Sequence, residues 1–219
     1  MKYDPNIHKR RSIRLRNFDY TNPGSYFVTI CLNQRIPKIW LNAADMAYNT
    51  TAHWQNIVVE HNTVAGQPRR AAPTIPMADI NFDFPTFGMV ENEIILLNDA
   101  GKMAQQTWHE MAGHYSNIEI DEFIIMPDHI HWIITITANA NNNPISLPEL
   151  VYYFKTRTTN KYTDGVKALN WMPFNKKLWQ RNYYEHVIRN ETEYAAIAGY
   201  IRENPILWGK EHLKAVLRQ

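Results

Sequence analysis

One segment constrains the fold of this chain more than any other: the run Phe123-Ile-Ile-Met-Pro-Asp-His-Ile-His-Trp-Ile-Ile-Thr-Ile136. Isoleucine and tryptophan favour strands, whereas the proline and aspartate of Met126-Pro-Asp128 favour a turn. The isoleucine-rich residues 116–125 precede that turn. The sequence therefore predicts two consecutive strands joined at 126–128, and a chain built around a sheet.

The second of these strands contains two histidines, His129 and His131, two positions apart. Because side chains alternate across a strand, the two imidazoles share one face, while Ile130 and Trp132 project into the opposite layer. Two imidazoles side by side make a pair of metal ligands, but histidine is also tolerated in half-buried strands. The spacing alone leaves both interpretations open.

Periodicity and turn signals predict the remaining elements. One helix is expected to be capped by Asn98 or Asp99, and a second by Ser146. A third is expected to be capped by Asn190 and to stop at Pro205. The predicted elements are a strand over 25–32, a hairpin over 89–97 turning at Glu91-Asn92, helices over about 99–112, 147–161 and 191–203, and an aromatic strand over 178–188.

Length and composition indicate one globular domain over residues 1–219. The 219 residues are 45% hydrophobic, without an apolar run near the roughly 20 residues that span a bilayer. The first residues lack the apolar core of a signal peptide. Cys31, the single cysteine, excludes an internal disulfide and is expected to pack in a strand. We expect a cytoplasmic, nucleoid-associated protein that does not enter a membrane.

The net charge of +2 conceals an uneven distribution. Residues 1–40 hold eight Lys/Arg against two Asp, and residues 150–190 hold eight against one Asp and one Glu. The intervening 41–125 hold eleven acidic residues against three basic ones. Two basic segments that converge in the fold would form a groove for a polyanion, with tyrosine and tryptophan available for base stacking; a solvated charged surface is the alternative.

Residues 41–87 form the least regular part of the sequence. A short helix is possible at 43–59, but Gly66-Gln-Pro-Arg-Arg-Ala-Ala-Pro-Thr-Ile-Pro76 is too rich in proline for regular structure. We interpret 41–87 as an insertion into the domain and the basic start of the chain as an N-terminal arm.

Four motifs in order resemble those of a known family: Met126-Pro-Asp-His-Ile-His-Trp132, Phe154-Lys-Thr-Arg157, Trp179-Gln-Arg-Asn-Tyr-Tyr-Glu-His-Val-Ile-Arg-Asn190 and Tyr200-Ile-Arg-Glu-Asn-Pro205. This combination resembles the single-tyrosine HUH transposases. It is most similar to the REP-associated tyrosine transposases, which bacteria encode beside repetitive extragenic palindromes. The resemblance runs from Tyr26 to about Gly209, apart from 41–87.

The resemblance implies an α+β fold, a ferredoxin-like antiparallel sheet with helices packed on one face. It also implies a metal-dependent endonuclease and strand transferase for single-stranded DNA with palindromic or hairpin structure. In such enzymes the histidine pair binds Mg²⁺ or Mn²⁺, and a tyrosine forms a 5′-phosphotyrosine intermediate. Related proteins are monomers or homodimers.

Carried onto this sequence, the resemblance implies Tyr200 as nucleophile and His129, His131 and Asn204 as metal ligands. Tyr183, Tyr184 and Tyr194 are nearby tyrosines that do not match the family position. On helical spacing alone Tyr200 would be an ordinary packed aromatic, and Asn204 a helix terminator. Further predicted DNA contacts are Lys155, Arg157, Arg181, His186 and Arg189.

Other histidine-based sites are excluded by single positions. A histidine-triad hydrolase needs a third histidine where Ile133 stands, and a cupin iron site needs an acid within 132–139, which has none. A replication initiator or relaxase of the HUH class stays open. So does a catalytically idle DNA hairpin-binding protein derived from a transposase, although the retention of His129, His131 and Tyr200 favours an enzyme.

Overall fold

The computed structural model describes residues 18–34, 85–138 and 145–216, with side chains as far as Trp208. Within them lie six strands and three helices. The strands are β1 (Gly24–Cys31), β2 (Gly88–Glu91), β3 (Ile94–Leu97), β4 (Ile118–Ile125), β5 (His129–Ile136) and β6 (Tyr184–Ile188). The helices are α1 (Asp99–His114), α2 (Leu147–Ala168) and α3 (Glu191–Val216).

The main sheet has four strands in the order β4-β5-β1-β6, and every neighbouring pair is antiparallel. With α1 between β1 and β4, and α2 between β5 and β6, this is the split βαβ arrangement of ferredoxin-like folds. β2 and β3 form a separate hairpin inserted before α1. The predicted α+β class and ferredoxin-like sheet are confirmed.

The two faces of the sheet bury different sets of side chains. On one face Val28, Ile130 and Trp132 join the main core, which α1 and α2 cover. On the other face Phe27 and Ile133 pack against residues of α3, namely Ala198 and Ile201. The prediction of helices on one face thus describes α1 and α2, and α3 covers the opposite face. That opposite face is the one on which His129 and His131 lie.

The predicted N-caps are present because each supplies an oxygen to free backbone N–H groups. The Asn98 side chain accepts from Gly101 N at 2.8 Å, and Ser146 with Glu149 forms a complete capping box. Asn190 Oδ1 accepts from Glu193 N at 2.9 Å. The carboxylate of Glu193 accepts from Arg189 N, one residue before the cap.

Several predicted boundaries were wrong. α2 runs to Ala168 instead of about 161, and β6 begins at Tyr184 instead of 178, with only an isolated bridge between Leu32 and Trp179 before it. The hairpin turns at Asn92 and Glu93, both at positive φ, one position later than predicted. In each case tertiary packing or turn geometry outweighed local propensity.

The helix that was predicted to stop at Pro205 continues through it to Val216. A proline inside a helix removes one backbone hydrogen bond and crowds the preceding turn. Here Asn204 and Pro205 are both buried, so burial holds the helix together across the proline. The continuation carries Trp208 over the histidine face of the sheet.

Two glycines of α1 allow a matched stability test. A Cβ on Gly101 would lie 2.1 Å from Phe87 O, whereas a Cβ on Gly113 would meet nothing within 4 Å. We expect Gly101→Ala to lower the free energy of unfolding by more than about 2 kcal/mol, since backbone must move. Gly113→Ala should raise it by about 0.5–1 kcal/mol through helix propensity. Urea denaturation measures both; equal effects would contradict the close approach of α1 to Phe87.

Residues 35–84 lie outside the described part of the chain, and with them most of the predicted insertion and the possible helix at 43–59. The predicted N-terminal arm falls before residue 18 and is likewise outside. The last residues assigned to the insertion are described, and Phe87 among them is fully buried in the main core. No helix in the described ranges combines the length and hydrophobicity needed to span a bilayer.

Candidate active site

Two histidines lie side by side on a central strand of the sheet. His129 and His131 belong to β5, where they pair with Cys31 and Thr29 of β1. Their ring centroids are 4.7 Å apart, and both residues are buried. Alternation along the strand therefore places both imidazoles on one face, as the sequence predicted.

Each imidazole is held through its Nδ1 atom. His129 Nδ1 lies 2.6 Å from Asp128 Oδ1, and His131 Nδ1 lies 2.8 Å from Thr29 Oγ1. When Nδ1 carries the proton, Nε2 presents its lone pair, which is the form that binds a metal. His131 Nε2 is buried and makes no hydrogen bond within the described residues. A buried polar nitrogen without a partner is costly to stability, so this atom indicates a ligand-binding role.

Burial keeps His131 neutral. Desolvation first, and the neighbouring His129 second, lower the pKa of His131 to about 2. Phe27 contributes to this apolar setting, since its ring stacks on the His131 ring with centroids 5.5 Å apart. A neutral imidazole with a free lone pair needs to lose no proton before it coordinates a cation.

Tyr200 of α3 lies over this pair. Its ring centroid is 5.3 Å from that of His131 and 6.2 Å from that of Phe27. The residue is nevertheless 43% exposed, so part of its side chain is open to solvent. A phenol and the histidine pair therefore converge from two different elements of the fold.

The same face of α3 carries Asn204 and Trp208. Residues four apart lie one turn from each other on a helix, so Tyr200, Asn204 and Trp208 form one row. The ends of the row contact the pair: Tyr200 lies against His131, and the Trp208 ring lies 5.3 Å from His129. Asn204, in the middle of the row, is 5% exposed. The helix thus places Asn204 on the side that faces the histidines.

Two contacts with β4 hold α3 on the sheet. The Tyr194 hydroxyl donates to Asp121, and Arg202 forms an ion pair with Glu122. Both acids lie where the pairing of β4 with β5 shifts register, between Ile120 and Phe123. A bulge of this kind turns side chains away from the regular alternation. The irregularity in β4 therefore presents two acids to the helix that carries Tyr200.

The predicted DNA-contacting residues are scattered. Lys155 Nζ donates to the carbonyl of Gln180 at 3.0 Å, and His186 Nε2 pairs with Glu193 Oε1 at 2.6 Å. Arg157 lies on α2, which covers the face of the sheet opposite to the histidines, and its guanidinium is 5.9 Å from the Tyr153 ring. Arg181 precedes β6 in the chain and Arg189 follows it, and both are exposed. The structure brings none of them against the histidine pair, and their role in DNA binding stays a prediction.

Sequence reasoning missed four residues of the site: Phe27, Thr29, Asp128 and Trp208. Asp128 stands beside His129 in the sequence, and a carboxylate next to a histidine was an available signal. Thr29 and Phe27 are about a hundred residues away from His131, and only the pairing of β1 with β5 brings them close. Trp208 was missed because α3 was expected to end before it.

The residues present fit a divalent cation with open coordination positions. The described part of the chain contains no cluster of three His, Cys, Asp or Glu side chains suited to a metal. The two imidazoles offer nitrogen donors, and Asn204, on the face of α3 that lies over them, carries an amide oxygen. This set suits an ion that keeps water or substrate oxygens as further ligands, and does not suit a closed structural zinc site.

A ferredoxin-like sheet with a histidine pair on a central strand, faced by a tyrosine on a helix, is the arrangement expected of the single-tyrosine transposases. The family described as Transposase IS200 like matches residues 91–204, which include both histidines, Tyr200 and Asn204. The chain belongs to this family. Its activity is therefore of the transposase type, and the predicted family resemblance is confirmed.

The proteins similar to this chain include the following two relatives and two solved structures. A protein of Haemophilus influenzae described as uncharacterized is 31% identical over 222 residues, covering 97% of each chain. A putative REP-associated tyrosine transposase of the same organism is 27% identical over 148 residues, 61% of this chain and 78% of the relative. A structure of a REP-associated tyrosine transposase bound to a REP hairpin is 16% identical with a TM-score of 0.46, covering 90% of this chain and 74% of that one. A putative transposase of Deinococcus radiodurans is 14% identical with a TM-score of 0.39, covering 88% and 96%.

Proposed function

We propose that this protein nicks and rejoins single-stranded DNA of palindromic or hairpin structure through a covalent bond to Tyr200. The observation that carries the proposal is the contact of the partly exposed Tyr200 ring with the buried His131 imidazole, whose Nε2 has no hydrogen-bond partner among the described residues. A tyrosine kept only for packing would not need to lie against an imidazole with an unsatisfied nitrogen. The similarity to a putative REP-associated tyrosine transposase supports a palindromic substrate, since REP elements are palindromes.

The reaction begins with the Tyr200 hydroxyl oxygen in line with a phosphorus atom of the strand. The oxygen forms a bond to phosphorus and loses its proton to solvent, while the bond from phosphorus to the 3′ oxygen breaks and that oxygen takes up a proton. The products are a 5′-phosphotyrosine and a free 3′-hydroxyl. Because the new ester retains the energy of the old one, another 3′-hydroxyl can reverse the reaction and join two strands.

The His129 and His131 imidazoles and the Asn204 amide would hold Mg²⁺ or Mn²⁺ beside this phosphate. Bound there, the cation supplies Lewis-acid polarisation of a phosphate oxygen, which favours attack by a weak nucleophile. The Asp128 carboxylate, which accepts from Nδ1, favours the required tautomer of His129, and Thr29 holds the orientation of the His131 ring. Phe27 and Trp208, packed against the two rings, limit the access of water to them.

The test is a labelled palindromic single strand taken from the DNA that flanks the gene. We expect a protein–DNA adduct that survives denaturing electrophoresis, appears with Mg²⁺ or Mn²⁺ and falls by at least about 100-fold in excess chelator. The same strand annealed to its full complement is the matched control and should give little adduct. Tight binding without adduct on any flanking palindrome would instead favour the hairpin-binding protein that lacks catalysis.

A further inference from the structure

A second exposed tyrosine borders the site. Tyr184, the first residue of β6, pairs with Thr29 and therefore lies on the same face of the sheet as His131. It is 49% exposed. Large aromatic side chains at the margin of a binding site, with one face free, are common points of contact with a ligand.

The ring of Tyr184 continues an aromatic floor that leads to the histidine pair. Its centroid is 6.0 Å from that of Phe27, and the Phe27 ring in turn lies 5.5 Å from His131 and 6.2 Å from Tyr200. Phe27 is buried and fixed by the core beneath α3. Tyr184 is thus held edge-on against a rigid ring, and the Phe27 ring lies between it and the His131 imidazole.

We infer that Tyr184 is a base-stacking subsite for a nucleotide next to the cleaved phosphate. The inference rests on the proposed function, because it needs a single strand to pass over His131. A phosphate at the histidines places the neighbouring base over the adjacent part of the floor, and Tyr184 is its exposed aromatic member. Stacking on a tyrosine contributes about 1–3 kcal/mol per base and accepts any base, since every base has a π-face.

This subsite gives Tyr184 a role different from that of Tyr200. Tyr200 acts through its hydroxyl oxygen, whereas Tyr184 acts through the face of its ring. Removing the hydroxyl of Tyr184 should therefore leave DNA binding unchanged, and removing the ring should weaken it. The position of the ring beside the reacting centre also fixes the register of the strand, so the choice of the cleaved phosphate depends on it.

Binding is measured in the Tyr200→Phe background, where the strand stays intact. A fluorescent palindromic strand from the gene's flanks, with single-stranded tails, is titrated with this parent protein. The same titration is made with three double variants, in which the parent also carries Tyr184→Phe, Tyr184→Ala or Tyr152→Ala. Tyr152 is the control because it is 72% exposed and lies on α2, which covers the face of the sheet opposite to the histidines. We expect about 5- to 150-fold weaker binding for Tyr184→Ala, and no change for the other two.

An abasic scan identifies the stacked base. One base at a time is removed from the strand. At a single position near the cleaved bond, removal of the base should weaken binding to the parent and leave binding to the Tyr184→Ala protein unchanged. If the effect of Tyr184→Ala on binding disappears at that abasic position, the contact is confirmed, because two changes that remove the same interaction are not additive. If the effect of Tyr184→Ala persists at every abasic position, or if no effect exists, the inference is wrong.

Failure of the Tyr184 subsite can be distinguished from failure of the proposed function. Protein with Tyr200 intact is assayed for adduct on the same strands, so failure to form adduct counts against the nucleophile while binding still tests the subsite. Should Tyr184→Ala fold poorly by circular dichroism, Tyr184→Leu replaces it. In that case, 2-aminopurine at the identified position should be quenched by the parent and brighter with Tyr184→Leu; equal quenching overturns the inference.

Discussion

Tyr200→Phe is expected to lower covalent adduct formation by at least about 10³-fold while leaving DNA binding within about twofold. The substitution removes one oxygen and keeps the ring that lies against His131 and Phe27. A nucleophile has no substitute for its reacting atom, so the loss is large even though packing is preserved. The measurement is the amount of labelled strand that remains attached to protein on a denaturing gel, with Mg²⁺ or Mn²⁺ present.

Tyr194→Phe is the matched control on the same helix. Tyr194 is also near the sheet, but its hydroxyl donates to Asp121, and burial and this carboxylate raise the pKa of Tyr194 to about 12. A phenol with a raised pKa that is engaged with an acid is a poor nucleophile. The Tyr194→Phe protein should therefore form adduct within about tenfold of wild type, the loss reflecting a weaker hold on α3. If Tyr200→Phe retains adduct and Tyr194→Phe loses it, the two roles are exchanged.

Local rules predicted the parts of this site that depend on a single element. Strand alternation was sufficient to place His129 and His131 on one face, and helix spacing placed Tyr200 and Asn204 one turn apart. The side-chain caps at Asn98, Ser146 and Asn190 followed from residue type and position. These features depend on residues within about four positions of one another, and short-range patterns record them directly.

The contacts that orient the site depend on pairing between distant segments. Thr29 reaches His131 only because β1 lies beside β5, and a shift of one residue in that register would place Thr29 on the other face. The side of the sheet that α3 covers was not predicted either, because amphipathicity identifies the buried stripe of a helix but not the surface that buries it. The continuation of α3 past Pro205 required the knowledge that this proline is buried.

His131→Leu is expected to abolish metal-dependent adduct formation, by about 10²-fold or more, without destabilising the protein. Wild type buries an imidazole whose Nε2 has no hydrogen-bond partner in the described part of the chain, and leucine removes that unsatisfied atom. The melting temperature, measured in chelator, should stay the same or rise by a few degrees, as is expected where a residue serves function at the expense of stability. If His131 were a structural residue, melting temperature and activity would fall together.

Asp128→Ala is the companion variant, because it keeps both imidazoles and removes only the carboxylate beside His129. It should raise the Mn²⁺ concentration needed for half-maximal adduct by about 10- to 100-fold instead of abolishing adduct. An Asp128→Ala protein with an unchanged requirement for Mn²⁺ would contradict the assignment of His129 as a ligand oriented by that carboxylate.

The pH dependence of stability gives the His131→Leu prediction a second readout. Because the pKa of His131 is lowered to about 2 from its usual value of 6.5, the unfolded chain binds a proton at this residue that the folded chain does not. Stability rises with pH wherever the unfolded state binds more protons, so this contribution is present above about pH 6.5 and is lost as the pH falls below it. His131→Leu should therefore unfold less readily than wild type between about pH 6 and about pH 4 in chelator, a difference visible in urea midpoints. Midpoints that fall in parallel for the two proteins over this range would mean that His131 takes up its proton in the folded chain, and that its imidazole is not held neutral for a cation.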